Sequence, residues 1–165
     1  MPGTLIAGFG NVLRGDDGFG VEVIRCLETE RTLGDEIELL EVGTGGIRLA
    51  QELLSGYDRL IVVDAMTRGG EPGSVYTLEV ESVIPSQAVD LHLAYPSRAL
   101  SVAQALGTLP REVFLVGCEP AMTEELTMEL TPAVRRAVSH AVSRIQELLR
   151  RPLPGSQDSE KEAMA

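Results

Sequence analysis

The 165-residue sequence has no tryptophan, three phenylalanines and three tyrosines. So few aromatic rings leave no stacking platform for single-stranded nucleic acid. It is also short of positive charge: 14 Lys and Arg stand against 25 Asp and Glu, a formal net charge of -11. An acidic surface repels phosphate backbones, so nucleic acid is a poor partner, and a cation or a basic protein segment a better one. No stretch approaches 18 uninterrupted apolar residues, and the opening "MPGTLIAGFG" has neither a basic n-region nor a long apolar h-region. The expectation is a cytoplasmic protein with no membrane segment. There are two cysteines, Cys26 and Cys118, far apart and outside any CxxC pattern. In a reducing compartment such thiols are small buried hydrophobes.

What is present is a regular alternation of strand and helix signals. Residues 4–9 form a buried strand and 18–31 a helix, with Val21, Ile24 and Leu27 on one face. Strand 36–42 leads through the glycine turn 43–46 into a short helix, 47–55. Residues 57–66 contain the uninterrupted run Leu60–Val63 and then Asp64, which suits a strand covered on both faces. Turn chemistry at 67–74 precedes 75–80, an alternating and half-exposed edge strand. A long loop carries His92, and loops of this length inside compact domains are often functional. Helix 97–107 follows, with Ser97 as its N-cap and Gly107 just past its end, then strand 112–120. The last helix, 131–151, opens with Thr131 as cap and Pro132 at its first position. Its apolar stripe runs from Val134 through Ala137, Ala141 and Ile145 to Leu149.

This order predicts an α/β fold, a three-layer α/β/α sandwich on a mostly parallel sheet of about five strands. Residues 1–150 form one domain, and the polar segment 151–165 is expected to be a disordered tail. Ligands of such sheets bind beyond the carboxyl ends of the strands, at the switch point. Asp16 and Asp17, Glu41, and Asp64 all fall on loops or strand ends at that rim.

The first loop, "GFGNVLRGDDGFG", is glycine-rich but holds no phosphate motif. Asp16 stands where a P-loop has its lysine, and Leu13 breaks the GxGxxG spacing. The loop therefore offers oxygen ligands to a cation or a polar substrate. Equally, Asp16 or Asp17 caps the helix beginning near Gly18. A carboxylate ending a buried run, Asp64, needs a bonding partner or a function, and the amides of the turn 43–46 are one such partner. His92 is either a satisfied ring or a ligand. His140, between Arg136 and Arg144, belongs to a solvated helix face, and Arg14 is a surface charge or a contact for a substrate carboxyl. Neither a GxSxG nor an HExxH motif occurs. Cys118 near a strand end is conceivable as a nucleophile, without a histidine assigned to it.

Taken in order, "GFGNVLRGDDGFGVEV", "EVGTGG", "LIVVDA", the loop histidine at 92, "FLVGCEP" and "ELTPAV" resemble the hydrogenase maturation endopeptidases, over nearly the whole chain up to about residue 150. Glu41 departs from that pattern, where the family usually has Asp, and Val42 replaces a glycine. The resemblance implies a metal-dependent endopeptidase that removes the C-terminal extension of a nickel–iron hydrogenase large-subunit precursor. It implies that Asp17, Asp64 and His92 are both the catalytic set and the metal ligands, and that the nickel arrives with the substrate. Two carboxylates and an imidazole suit a first-row divalent ion with coordination positions left open. The rival readings are a non-enzymatic α/β binding or regulatory module and a hydrolase on a peptidyl-tRNA-hydrolase-like sheet; the negative charge opposes the second.

Overall fold

The computed structural model describes residues 3–30, 33–80 and 94–154. The segment holding His92 and the sequence beyond residue 154 lie outside them. Among the described residues five strands and four helices follow in order, alternating except where β4 follows β3: β1 Thr4–Phe9, α1 Phe19–Thr29, β2 Ile37–Gly43, α2 Ile47–Leu53, β3 Arg59–Ala65, β4 Val75–Glu79, α3 Ala94–Ala105, β5 Glu112–Cys118 and α4 Pro132–Leu149. A single 3-10 turn, Gly15–Gly18, joins the first loop to α1.

The strand order is β2-β1-β3-β5-β4. The β1–β2, β1–β3 and β3–β5 pairs are parallel; β4 lies at the edge, as its alternation suggests, and runs antiparallel to β5. Period-two side-chain alternation splits the core in two. Ile61 and Val63 of β3 pack with α1 and α4 on one face. Leu60 and Val62 pack with α2 and α3 on the other. All four are at most 1% exposed, and burial of such side chains contributes about 1.5–3 kcal/mol each. That is the three-layer α/β/α sandwich expected. Among the described residues no helix is long and apolar enough to cross a membrane.

Two sequence expectations about helix ends need correction. Helix α3 begins at Ala94, so Ser97 lies inside it rather than capping it. Pro96 does not prevent the earlier start, because a first-turn residue has no intrahelical use for its N–H. At the other end Gly107 adopts φ +72. Its N–H donates to the Gln104 carbonyl and that of Thr108 to Ala103, a Schellman closure. Thr131 does precede α4, with Pro132 next, but its hydroxyl makes no capping bond. It is drawn instead to Asp16.

Arg59, whose role the sequence did not suggest, is buried at the start of β3. Its Nε donates to Glu112 Oε1 at 2.7 Å. Its remaining nitrogens donate to the carbonyls of Leu148, Arg151 and Pro152, which are 3.0, 3.1 and 2.9 Å away. One guanidinium thus satisfies the carbonyls at the end of α4 and joins that helix to the sheet.

Candidate functional site

The β1–β3 ladder ends at the pair Gly8–Val63. Strand β2 lies on one side of β1 and β3 on the other, so the chain reverses its direction of travel across the sheet between them. A crevice at the carboxyl ends of these two strands is where an open α/β sheet binds ligands. The first loop leaves β1 there, and Asp64 stands one residue past the last β1–β3 pair.

The glycines of the first loop let backbone approach backbone. A Cβ on Gly20 would collide with the carbonyl oxygens of Phe9 and Val63, so α1 can lie directly over the ends of β1 and β3 only with glycine there. Gly10 has φ +124, and a side chain on it would strike the Asp17 carbonyl. The glycine-rich loop therefore folds tightly on itself and on α1, and it displays its two carboxylates in opposite directions.

Asp16 turns inward and is fully buried. Its Oδ2 accepts from the amides of Ala121 and Met122 at 2.8 and 3.0 Å and from the Thr131 hydroxyl at 2.9 Å. Its Oδ1 accepts from the Thr131 amide at 2.7 Å. This carboxylate pins both ends of the 121–131 segment to the first loop. Asp17 turns toward the rim, half-buried, and its Oδ2 accepts the Asn11 amide at 2.9 Å. Neither residue caps α1, whose N-cap, Gly18, has no side-chain bond.

Asp64 is 8% exposed. Burial first, and then the Asp17 carboxylate beside it, hold its carboxyl well above the usual carboxylate range; the Ala65 amide partly offsets both. No hydrogen bond joins it to the amides of residues 43–46 among the described residues. Asp17 and Asp64 are therefore close enough at the switch point for the charge of one to raise the pKa of the other. His92 lies outside the described residues, and among these no group of three His, Cys, Asp or Glu side chains is placed to hold a metal.

The other candidates separate clearly. Glu41 is engaged by Arg25, Nε to Oε1 at 3.1 Å, on the wall of an open groove of about 340 Å³ between the first and second loops. His140 is exposed on α4 and Arg14 on the first loop. Cys26 is half-buried against the core, and Cys118 is 1% exposed within it. Burial first, then the charge of Asp16, push the Cys118 thiol up to about 12. A thiol so placed is not a nucleophile.

Sequence reasoning passed over Glu119, which is buried just after β5. Its carboxylate accepts the amides of Arg68 and Gly69, at 2.7 and 3.0 Å, and the Tyr76 hydroxyl at 3.1 Å. It holds the turn after β3 to the end of β5 and to β4. The signal available was the one used for Asp64, a carboxylate ending a buried apolar strand.

Comparison with known proteins agrees with this architecture. The family model described as hydrogenase maturation protease matches residues 21–148, a span that includes Asp64 and begins just after Asp17. The hydrogenase expression/formation protein HupD of Rhizobium leguminosarum bv. viciae is 34% identical over 152 residues, 90% of this chain and 75% of its own. Among solved structures, the hydrogenase maturating endopeptidase HybD from E. coli superposes with a TM-score of 0.79 at 30% identity, covering 90% of this chain and 92% of its own. The [NiFe] hydrogenase maturation protease HybD from Thermococcus kodakarensis gives 0.75 at 28% identity, covering 90% and 99%. The chain belongs to the hydrogenase maturation protease family.

Proposed function

We propose that this chain is an endopeptidase that removes the C-terminal extension of a nickel–iron hydrogenase large-subunit precursor once nickel has been inserted. Asp17, Asp64 and His92 take up the nickel that the precursor carries and are the catalytic set. The observation that carries this reading is the Asp17–Asp64 pair. Two carboxylates held together at a switch point, one of them buried and short of donors, form an anionic site whose mutual repulsion a divalent cation relieves. The imidazole of His92 completes a mixed oxygen and nitrogen set suited to a first-row ion.

In this reading the metal is part of the substrate, held mainly by the precursor's own thiolates. An ion that keeps open positions polarises a peptide carbonyl or lowers the pKa of a bound water. The chain's contribution is to recognise the loaded ion with Asp17, Asp64 and His92 and so to bring the nearby peptide bond into place. Cleavage then acts as a checkpoint on metal insertion. The buried, protonation-prone Cys118 takes no part.

The deciding experiment is incubation with nickel-loaded and nickel-free precursor, followed by mass spectrometry of the products. Loaded precursor is expected to lose its C-terminal extension and nickel-free precursor to stay intact. Failure to cut the loaded form would sink the protease reading for this substrate. Equal cutting of both would sink the checkpoint alone.

A further inference from the structure

The segment between β5 and α4 has a feature that the nickel site does not use. Its ends are fixed by Asp16, through the amides of Ala121, Met122 and Thr131. Its middle is fixed by Thr127, whose N–H donates to the Leu13 carbonyl at 2.9 Å and whose carbonyl accepts the Gly15 N–H at 2.8 Å. These two bonds make a short parallel bridge between the first loop and this segment. A planar trans peptide aims its C=O and N–H in opposite directions. With the N–H and C=O of Thr127 bonded to the first loop, the C=O of Leu126 and the N–H of Met128 face away from it, and neither bonds any described residue.

The side chains on this outer edge are also unsheltered. Leu126 is 87% exposed, Met128 64%, and Leu13 across the bridge 53%. Glu124, Glu125 and Glu129 flank them, all exposed. An open edge with apolar side chains invites pairing with another strand, and flanking like charges discourage pairing with a second copy of itself. They favour instead an extended partner carrying basic residues.

We infer that Leu126–Met128 is a docking edge at which an extended, basic and apolar segment of the precursor adds as a strand. The identity of the partner rests on the function proposed above; the edge itself rests on the bonding pattern. Main-chain bonds to such an edge supply affinity, and alternate side chains supply selectivity. Asp16 ties this segment to the first loop, the same loop that carries Asp17.

Two variants and one exchange measurement test it. Met128→Pro removes the outward N–H, and the extended Thr127 before it tolerates a following proline. Leu126→Ser with Met128→Ser removes the apolar surface and keeps the backbone. Each is expected to raise KM for loaded precursor roughly ten-fold, the effect of losing one contact of about 1.4 kcal/mol, with kcat within about two-fold because the reacting groups are untouched. The backbone amide of Met128, followed by NMR-detected hydrogen exchange, is expected to slow when precursor binds. Unchanged KM in both variants, or unchanged exchange at this amide while the wild-type protein binds or cuts precursor, overturns the docking edge and leaves the protease reading standing. A wild-type protein that neither binds nor cuts the precursor overturns both.

Discussion

Asp16 and Asp64 are both buried carboxylates at the same rim of the sheet, and their surroundings are opposite. Asp16 receives four hydrogen bonds, from Ala121, Met122 and twice from Thr131. Asp64 meets the Ala65 amide and a second carboxylate, Asp17, which with burial raises its pKa. A buried acid is stabilising only when its partners satisfy it. The first acid therefore holds the loops together. The second is held where its charge is unfavourable, and in the proposed reading a ligand relieves it, a trade of stability for function. Adjacent residues, Asp16 and Asp17, fall on the two sides of this divide because the tight 3-10 turn aims them apart.

The largest effect expected from breaking this division is on catalysis. Asp17→Asn keeps an acceptor for the Asn11 amide but loses the charge. In the proposed role at the nickel, its loss is expected to lower cleavage of loaded precursor by at least about 100-fold, more than loss of a ligand's supporting bonds costs. His92→Ala is expected to do the same. The melting temperature of Asp17→Asn should not fall below that of the wild type, because the charge lost is one that repels Asp64. Full activity in Asp17→Asn would reduce Asp17 to the role of holding Asn11.

Asp16→Ala should show the reverse balance. It leaves three buried or half-buried amides and one hydroxyl without their acceptor. The expected loss is about 3 kcal/mol, or a fall of roughly 10 °C in melting temperature for a domain of this size. Calorimetry gives the answer directly. A fall of a degree or two would mean that the 121–131 segment holds its place without Asp16.

How far this division could be read in advance follows from where the partners lie. The strands announced themselves because Leu60–Val63 and its counterparts are buried on both faces, and α4 because its stripe has helical period. The rim position of Asp17 and Asp64 followed from the order of the elements alone. The duties of Asp16 did not, because its donors lie 105 to 115 residues away, and no local pattern marks an amide as short of an acceptor. The same distance hid Arg59, whose carbonyl acceptors lie 89 to 93 residues on and whose carboxylate partner lies 53 on. Thr131 misled for a related reason: the residue type and position were those of a cap, but a buried charge competed for its hydroxyl and won.

The smallest and most specific effect concerns Asp64. Its folded pKa lies above the unfolded value of about 3.9, so the folded state binds the proton more tightly. The stability that this proton lends is fully present below the unfolded pKa. It is lost as pH rises through the folded pKa, and above that value the ionised carboxylate is a standing penalty. Asp64→Asn carries no such charge. It should therefore melt close to the wild type near pH 4 and above it at neutral pH, by about 1 kcal/mol, or roughly 3 °C. The gap should open with rising pH and then level off once Asp64 is ionised. Replacing Asp17 by Asn in the wild-type background should shrink the gap, because the nearest like charge is gone. Meanwhile Asp64→Asn should cut no loaded precursor, a gain in stability joined to a loss of function. A constant difference in melting temperature across pH 4 to 8 would mean that Asp64 ionises in the folded protein as readily as in the unfolded chain, and the contrast with Asp16 would then lose its electrostatic basis.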